Sequence, residues 1–569
     1  MMSRQIDPSE IRPTTPTRED TPAMTTRRRR TLRTGTAAGA LLLALAACGG
    51  PGQAGQAAGP PVDGGQLTYA LSVFPKCVDP ALQARGLSAP QQFVETLTDQ
   101  DRKTGEVVPR LAQSWEISPD ARSITFHLRQ GVTFSDGTPL TAEVVKTNID
   151  TLKTLAGQAK TDTPLISALN SYKGTTVLDA ATFRVDFGDP ELGFLRYVSD
   201  PYFGIYSAST VASSYDARCA GTSLVGTGPY VIDSVVKNQK IELSKRADYN
   251  WAPAGVTGHT GAAHLDKIVF QVVPESGVRV GGLLSGQFDV ADDIPVTDQD
   301  SVTAGGNQLV TGQVPNLVPG LRQNPFSPLG GDAVVREALQ KSIDRTEIRD
   351  TLYNDNYALP TSVISKITPY YADQSALLTY DPDVAKALLT GAGWTTGADG
   401  IWQKDGLRLA PRVIYVSGTV QGATQQELEL IQQQLKKVGI DLQLKPGTQS
   451  EYDAVYNDKK NASYDFLTGS GPAKDIDFLS GLFSKTNPAL GGADQPELQA
   501  ASDRLNLAST EAERRSAASD LQKLIIGKGY WLPIREQTKA VGVRSGVQGV
   551  AIDPYGATVL YDAWKKDAS

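Results

Sequence analysis

Residues 123–152 read SITFHLRQGVTFSDGTPLTAEVVKTNIDTL and combine the signals of a strand, a turn and a helix. From Ser123 to Arg129, apolar and polar side chains alternate, which is typical of a half-buried strand. The DGTP sequence at 136–139 predicts a turn, because glycine and proline favour turn dihedral angles. Thr141 predicts the start of a helix, since its side-chain oxygen can accept a hydrogen bond from a free backbone amide.

The rest of the chain continues to alternate between strands and helices. The runs 230–236 and 240–244 flank a polar KNQ tripeptide and predict a β-hairpin. Other predicted strands cover 66–74, 265–274 and 440–444, with one more from 288 onward, and predicted helices cover 332–352, 381–391 and 421–438. The pattern predicts an α/β fold with mixed sheets.

Charge and motif content exclude several functions. The formal net charge is −7, and removal of the basic residues 1–47 leaves about −11, which argues against a nucleic-acid partner. Three scattered histidines and two distant cysteines offer no metal-ligand spacing, so we expect no metal and no cofactor. A secreted hydrolase is disfavoured because the chain has neither a Gly-x-Ser-x-Gly elbow nor a His-Glu-x-x-His motif.

The N-terminus is typical of an exported protein. An arginine-rich patch precedes an apolar run of about a dozen residues, shorter than the roughly 20 that span a bilayer. Leu45-Ala46-Ala47-Cys48 resembles a bacterial lipobox, which implies cleavage before Cys48 and a lipid on its thiol. We therefore predict a signal peptide over 1–47, in which 1–23 is either disordered or a misassigned start, and a flexible lipidated tether over 48–64.

The remaining cysteines, Cys77 and Cys219, are an even pair in a chain predicted to be exported. Such a pair favours a disulfide over two free thiols, because extracytoplasmic compartments are oxidising. The pairing stays a prediction at this point, with free thiols as the alternative.

Six colinear motifs carry a resemblance to a known family. They are ITFHLRQGVTFSDGTPLTAEVV (124–145), LVGTGPYVI (224–232), IELSKRADYNW (241–251), LLSGQFDVADDIP (283–295), VVREALQKSIDRTEI (334–348) and DPDVAKALLTGAGW (381–394). In this order they resemble the extracytoplasmic solute-binding proteins of ABC importers, specifically the oligopeptide- and dipeptide-binding family (family 5). The resemblance covers roughly residues 65–535.

The resemblance implies a two-lobed α/β fold of the periplasmic-binding-protein type, class II, with mixed sheets and an extra inserted domain. In this arrangement ligand is buried between the two lobes as they close. The implied domains are a hinge-proximal domain of lobe one (65–95, 215–315 and 536–569), an inserted domain of lobe one (96–214) and lobe two (316–535). A disulfide between Cys77 and Cys219 would then join two pieces of the hinge-proximal domain.

The resemblance also implies a ligand site. Peptide binders of this family hold the ligand's α-amine with a carboxylate in a Gly-aromatic-x-x-Asp segment. Here Gly471 and Asp475 keep that spacing, so Asp475 is the first predicted contact and Asp477 the second. The alternative is that both aspartates cap the helix beginning near Phe478. Pro472 replaces the usual aromatic residue, which leaves the peptide identity of the ligand open.

Tyr69 and Ser72, on the first predicted strand, are the other predicted ligand contacts, with a place in the core as the alternative for Tyr69. The implied function is capture of a peptide or other small solute and its delivery to an ABC permease and its ATPase subunits. We expect a non-catalytic, monomeric lipoprotein on the outer face of the cell membrane. A sensory lipoprotein of the same fold is the alternative.

Overall fold

The computed structural model describes residues 59–82, 88–101, 104–158, 169–253, 256–416, 424–458, 462–483 and 495–566. The predicted signal peptide, Cys48 and the tether up to residue 58 lie outside these ranges. Within them, no helix is both long enough and apolar enough to cross a membrane.

The residues predicted for the hinge-proximal domain contain a seven-stranded mixed sheet. Strand Gln66–Leu71 pairs in parallel with Lys267–Val272 and with Val290–Ala291, and the other pairings are antiparallel. In spatial order the strands are Gln308–Gln313, Thr538–Val543, Val290–Ala291, Gln66–Leu71, Lys267–Val272, Lys240–Lys245 and Tyr230–Val236. All seven come from the residues predicted for this domain, and helices Ser276–Leu284 and Val296–Ala304 flank them.

The inserted domain contains a four-stranded antiparallel sheet, in the order Ala112–Ile117, Ser123–Leu128, Thr182–Phe187 and Tyr172–Val177. The strand–turn–helix prediction for 123–152 is confirmed. Strand Ser123–Leu128 buries every second side chain, Gly137 has a φ of +83° in the turn, and helix Ala142–Gln158 follows. The Thr141 hydroxyl accepts a hydrogen bond from the Val144 amide at 3.4 Å, as expected for a cap.

The GTGP motif allows two chain segments to meet. A Cβ atom on Gly228 would lie 2.6 Å from the Phe93 carbonyl carbon, and one on Gly226 would lie 2.1 Å from the Phe93 oxygen. No side chain fits at such distances, so both glycines are required for this approach of backbone to backbone.

Lobe two is built on a five-stranded sheet, in the order Gln443–Gly447, Arg412–Val416, Phe466–Pro472, Asn316–Gln323 and Trp531–Pro533. Its helices are Ala333–Ser342, Arg345–Leu352, Pro382–Gly391, Thr424–Lys437, Gln449–Asn457, Asp477–Leu482, Pro496–Asn506 and Glu511–Gly527. Its small hairpin sheet consists of Thr395–Thr396, Trp402–Lys404 and Leu407–Arg408.

Short elements complete the part of the chain that the structure describes. In lobe one the helical turns are Pro80–Leu82, Pro90–Gln92, Phe194–Tyr197, Pro201–Phe203, Ala208–Val211 and Tyr215–Ala220, and lobe two adds Ser375–Leu377. The two-stranded pairs are Thr98–Gln100 with Val107–Pro109, Val547–Gln548 with Trp564–Lys565, and Ala551–Ile552 with Thr558–Val559.

The single helix predicted over 332–352 is wrong, because the structure has two helices there. Ala333–Ser342 is capped by Asp332, and Arg345–Leu352 is capped by Asp344. Ile343, between them, has an extended backbone with a ψ of 111°. The Asp344 carboxylate accepts the first free amides of the second helix, so a new helix starts where the spacing alone suggested continuation.

Cys77 and Cys219 are joined by a disulfide, with their Cα atoms 4.1 Å apart. The Val78 amide donates to the Cys219 carbonyl at 3.1 Å beside the bridge. The bridge therefore links the segment after strand Gln66–Leu71 to helix Tyr215–Ala220, across a sequence separation of 142 residues that includes the inserted domain.

Two chain crossings connect the main sheets of the lobes within the described residues. One runs from strand Gln308–Gln313 to Asn316–Gln323, and the other from Trp531–Pro533 to Thr538–Val543. The crossings touch each other, because the Asn316 side-chain amide donates to Gln537 Oε1 at 2.7 Å. This contact marks the hinge end of the cleft between the lobes.

Candidate ligand-binding cleft

Ion pairs connect lobe two to the inserted domain along residues 472–478. Lys474 Nζ lies 2.5 Å from the Asp200 carboxylate, and Asp475 lies 3.6 Å from the Arg196 guanidinium. The segment follows strand Phe466–Pro472, whose last residue pairs with the first residue of the strand entering lobe two, Asn316. The lobes are therefore in contact where the sequence predicts the ligand site.

Asp475 is almost fully buried and already has a cationic partner within its own lobe. Arg514 Nη2 donates to Asp475 Oδ1 at 2.7 Å and to Asp477 Oδ2 at 2.8 Å. Burial raises the pKa of Asp475 to about 6, although the positive charge of Arg514 opposes the rise. The structure thus brings Asp475 and Asp477 together around one guanidinium, and a ligand amine would compete with Arg514 for Asp475.

The two aspartates also contribute to the start of helix Asp477–Leu482. Asp475 Oδ1 accepts from the Asp477 amide at 3.3 Å, while Ile476 occupies the capping position without a side-chain hydrogen bond. The capping alternative therefore accounts for one of the contacts of Asp475, whose main partner is Arg514.

Glu191 of the inserted domain adds a third carboxylate to this group. Burial raises the pKa of Glu191 to about 8, and the negative charge of Asp477 adds to the rise. Ser171 Oγ donates to Glu191 Oε2 at 2.9 Å. Glu191 thus lies within electrostatic reach of Asp477, Asp475 and Arg514, and burial keeps its proton in place at neutral pH.

We predict that stability falls as pH rises between about 4.5 and 8 because of Glu191. An unfolded glutamate titrates near 4.5, whereas the folded pKa is about 8, so the folded chain binds more protons throughout this window. The contribution is fully present below pH 4.5 and is lost by pH 8, with a slope of at most about 1.4 kcal/mol per pH unit. Urea unfolding of the wild type and of Glu191→Gln at several pH values measures it.

The difference between the two proteins isolates Glu191, since Asp475 shifts stability in the same direction only up to about pH 6. Exposed Glu497, replaced by glutamine, serves as the matched control. Parallel pH profiles for the wild type and Glu191→Gln above pH 6 would contradict the prediction.

The side chain of Lys474 crosses from lobe two to lobe one. Its ammonium lies 4.3 Å from the ring centre of Tyr202 and 4.8 Å from that of Tyr555, in addition to its pairing with Asp200. The Tyr555 hydroxyl accepts from Gln100 Nε2 at 2.7 Å, which fixes the ring. The lysine therefore binds an anionic, aromatic recess formed by lobe one.

Gly193 allows the lobes to approach at the carboxylate group. A Cβ atom there would lie 2.7 Å from Asp477 Oδ2 and 3.1 Å from Arg514 Nη2. Because these two atoms are hydrogen-bonded to each other at 2.8 Å, neither can move aside without breaking the ion pair. Gly193 is thus a residue of the contact between the lobes that sequence reasoning did not select.

Gly471 lies within the lobe two sheet, opposite Leu317. A Cβ atom on it would touch only the Phe478 ring at 3.4 Å, an ordinary contact distance. Gly471 lies near the end of strand Phe466–Pro472, four residues before Asp475. Its ligand role stays a prediction.

Tyr69 and Ser72 belong to a different polar cluster. Tyr69 is fully buried, and its hydroxyl hydrogen-bonds to Asp292 at 3.1 Å and to Thr558 at 2.8 Å. Ser72 Oγ donates to Asp293 at 2.5 Å. The structure therefore does not bring these two residues to the Asp475 group, and their ligand role stays a prediction.

Sequence reasoning missed Arg514, Arg196 and Glu191. None belongs to a recognisable motif, and two of them come from the inserted domain. The available signal was physical: a buried carboxylate such as Asp475 needs a cationic or hydrogen-bonding partner. In the described part of the chain, no three His, Cys, Asp or Glu side chains are grouped as a metal site requires.

The two-lobed α/β fold, with mixed sheets and a cleft closed by charged groups, defines a periplasmic-type solute-binding protein. Residues 106–489 match the family described as bacterial extracellular solute-binding proteins, family 5. The chain belongs to this family, which fulfils the expectation from the six motifs. It is therefore an extracytoplasmic solute-binding protein of an ABC import system and not an enzyme.

Individual relatives agree with this assignment. The chain is 26% identical to the glutathione-binding protein GsiB of Shigella dysenteriae over 443 residues, covering 74% of this chain and 79% of that protein. It is 24% identical to heme-binding protein A of Haemophilus influenzae over 523 residues, covering 87% and 91%. The crystal structure of the ABC transporter substrate-binding protein CtaP from Listeria monocytogenes matches with a TM-score of 0.76 at 21% identity, covering 89% of this chain and all of that one.

Proposed function

We propose that the protein captures a peptide or peptide-like solute in the cleft between its lobes and delivers it to an ABC permease. The observation that carries the proposal is the pairing of segment 472–478 with Arg196 and Asp200 of the inserted domain. Closure at this segment would enclose a solute between Asp475 and the hinge. A relative named for glutathione, itself a tripeptide, supports a peptide-like ligand.

The proposed contacts on the ligand are Asp475 and, next to it, Asp477 and Gly471. A ligand ammonium would replace part of the Arg514 contact to Asp475 in a dry environment, where charge-assisted hydrogen bonds are strong. Tyr69 and Ser72 are proposed as contacts at the hinge end of the cleft.

The test is native mass spectrometry of the purified protein, followed by titration calorimetry with a defined pool of tripeptides. We expect bound peptide in the wild type and about tenfold weaker binding in Gly193→Ala, whose methyl group obstructs closure. Gly277→Ala is the matched control, since a Cβ there meets open space. Equal affinities for the three proteins would argue against closure at this contact.

The Asp475→Asn variant tests the amine contact separately. Loss of peptide binding with an intact fold supports Asp475 as the ligand's carboxylate partner. Retained binding removes Asp475 from the site while leaving solute capture in place.

We further propose that Cys48 carries the lipid that holds a monomeric protein at the outer face of the cell membrane. The lipobox sequence and the following glycine-rich tether support this anchor. Cys48→Ser is expected to release the protein from the membrane fraction, and intact mass spectrometry reports the lipid directly. Light scattering of the released protein measures the oligomeric state.

A further inference from the structure

Three buried polar side chains at or beside the chain crossings have atoms without a well-aligned hydrogen-bond partner in the described residues. These atoms are both carboxylate oxygens of Glu536, the hydroxyl oxygen of Ser365 and the side-chain carbonyl oxygen of Asn316. The residues are 1%, 0% and 2% exposed, respectively. Buried polar groups are nearly always paired, since an unpaired one costs about 1–3 kcal/mol. Three unpaired groups in one place therefore call for an explanation.

The segments that carry these side chains meet at the hinge end of the cleft. Glu536 and Asn316 lie on the two chain crossings, which are joined by the Asn316–Gln537 hydrogen bond at 2.7 Å. The Ser365 amide donates to the Asn316 carbonyl at 3.0 Å, which places Ser365 beside the same crossing. Two residues further on, the Ile367 carbonyl lies 3.8 Å from a Cβ position on Gly105 of the inserted domain. The segment carrying Ser365 therefore reaches lobe one.

The chemistry of the three groups indicates what they can hold. A carboxylate and an amide carbonyl only accept hydrogen bonds, and the serine hydroxyl can accept as well. The complementary group is a cationic donor with several N–H bonds, an ammonium or a guanidinium. A divalent metal ion fits less well, because the site supplies a single carboxylate and metal ions of this kind are held by several charged or oxygen ligands.

We propose that Glu536, Ser365 and Asn316 form a subsite for an ammonium or guanidinium group of the solute. The proposal rests on the proposed function, because it places the subsite in the solute-binding cleft. It gives the ligand's positive charge a second position, at the hinge end of the cleft, as the alternative to the Asp475 contact proposed above. The Asp475 carboxylate differs in already being paired with Arg514.

The electrostatic state of Glu536 agrees with this role. Burial raises the pKa of Glu536 to about 7, opposed by the Ser365 hydroxyl and the Lys366 ammonium, and the negative charge of Glu536 in turn raises the pKa of Tyr371. Lys366 is exposed and remains hydrated. A bound cation would favour the ionised carboxylate, so binding near pH 7 would release a proton.

The experiment measures affinity and proton release by calorimetry, in two buffers of different ionisation enthalpy. The probes are tripeptides with a free α-amine, the same peptides N-acetylated, and N-acetylated peptides with a central lysine. We expect Glu536→Gln to bind the cationic probes at least tenfold more weakly and to lose the proton release. Exposed Glu337→Gln is the matched control and is expected to behave as wild type.

The outcomes distinguish an α-amine from a side-chain cation as the ligand's charged group. They also separate failure of the hinge subsite from failure of the proposed function. Binding lost on N-acetylation identifies the α-amine as the source of the charge, and binding restored by the central lysine identifies a side-chain cation. Either result supports the subsite when Glu536→Gln removes the difference between the probes, and overturns it when that variant keeps the difference. Unchanged affinity and proton release in a folded Glu536→Gln variant overturn it. If Asp475→Asn alone abolishes binding, solute capture stands and the hinge subsite falls. A co-purified solute without a cationic group also overturns the subsite, and a wild type that binds no solute refutes the proposed function itself.

Discussion

Replacing Arg514 with methionine is expected to lower the free energy of unfolding by about 3–5 kcal/mol, the usual cost of breaking a buried ion pair from one side. The Arg514 side chain is 5% exposed and holds Asp475 at 2.7 Å and Asp477 at 2.8 Å. Without it, these carboxylates face Glu191 with only the more distant Arg196 to compensate. Urea unfolding at pH 7 measures the loss.

The neighbouring arginine supplies the control. The Arg515 side chain is 67% exposed and pairs with Glu511 at 3.7 Å, so Arg515→Met is expected to cost at most about 1 kcal/mol. The double variant Arg514→Met/Asp475→Asn is expected to regain part of the loss, because one unpaired carboxylate is then neutral. A loss for Arg514→Met no larger than that for Arg515→Met would show that solvent, not the arginine, compensates these carboxylates.

The candidate site could be predicted only in part. The spacing of Gly471 and Asp475 in a resembling segment led to a part of lobe two that contacts lobe one, and the structure adds that Asp475 is buried and paired. Its partner Arg514 lies 39 residues further along the chain, and Arg196 lies in the other lobe. Such pairings depend on tertiary geometry, which local patterns do not encode.

The fold was more predictable because its elements depend on short-range signals. Alternation along 123–129 and the Thr141 cap gave the strand and helix of the inserted domain. The failure at 332–352 has the same origin, since Asp344 is compatible with a helix surface and also with a cap. Glu536 was not predicted as a site residue, because it follows an apolar strand and belongs to no motif. Only the burial of its carboxylate oxygens without hydrogen-bond partners distinguishes it.

Replacing both Cys77 and Cys219 with alanine is expected to lower the free energy of unfolding by about 5 kcal/mol in the chain-entropy account. The bridge spans 142 residues, so it removes many conformations from the unfolded chain. Native contacts at the same point remain: Arg218 Nε donates to the buried Asp79 carboxylate at 2.6 Å, and Val78 still bonds to the backbone of residue 219. The loss should therefore come from the unfolded state while the folded structure persists.

Because the loss of stability is expected to come from the unfolded state, reduction of the wild-type disulfide supplies the control. Wild type unfolded with a phosphine reductant present is expected to match the double-alanine variant, and the reductant should leave the variant itself unchanged. The variant should also keep the solute affinity of the wild type, because the ion pairs of segment 472–478 lie elsewhere. A loss below about 1 kcal/mol would mean that the unfolded chain stays compact around this loop without the bridge. A loss of affinity would mean instead that the bridge positions the inserted domain for closure.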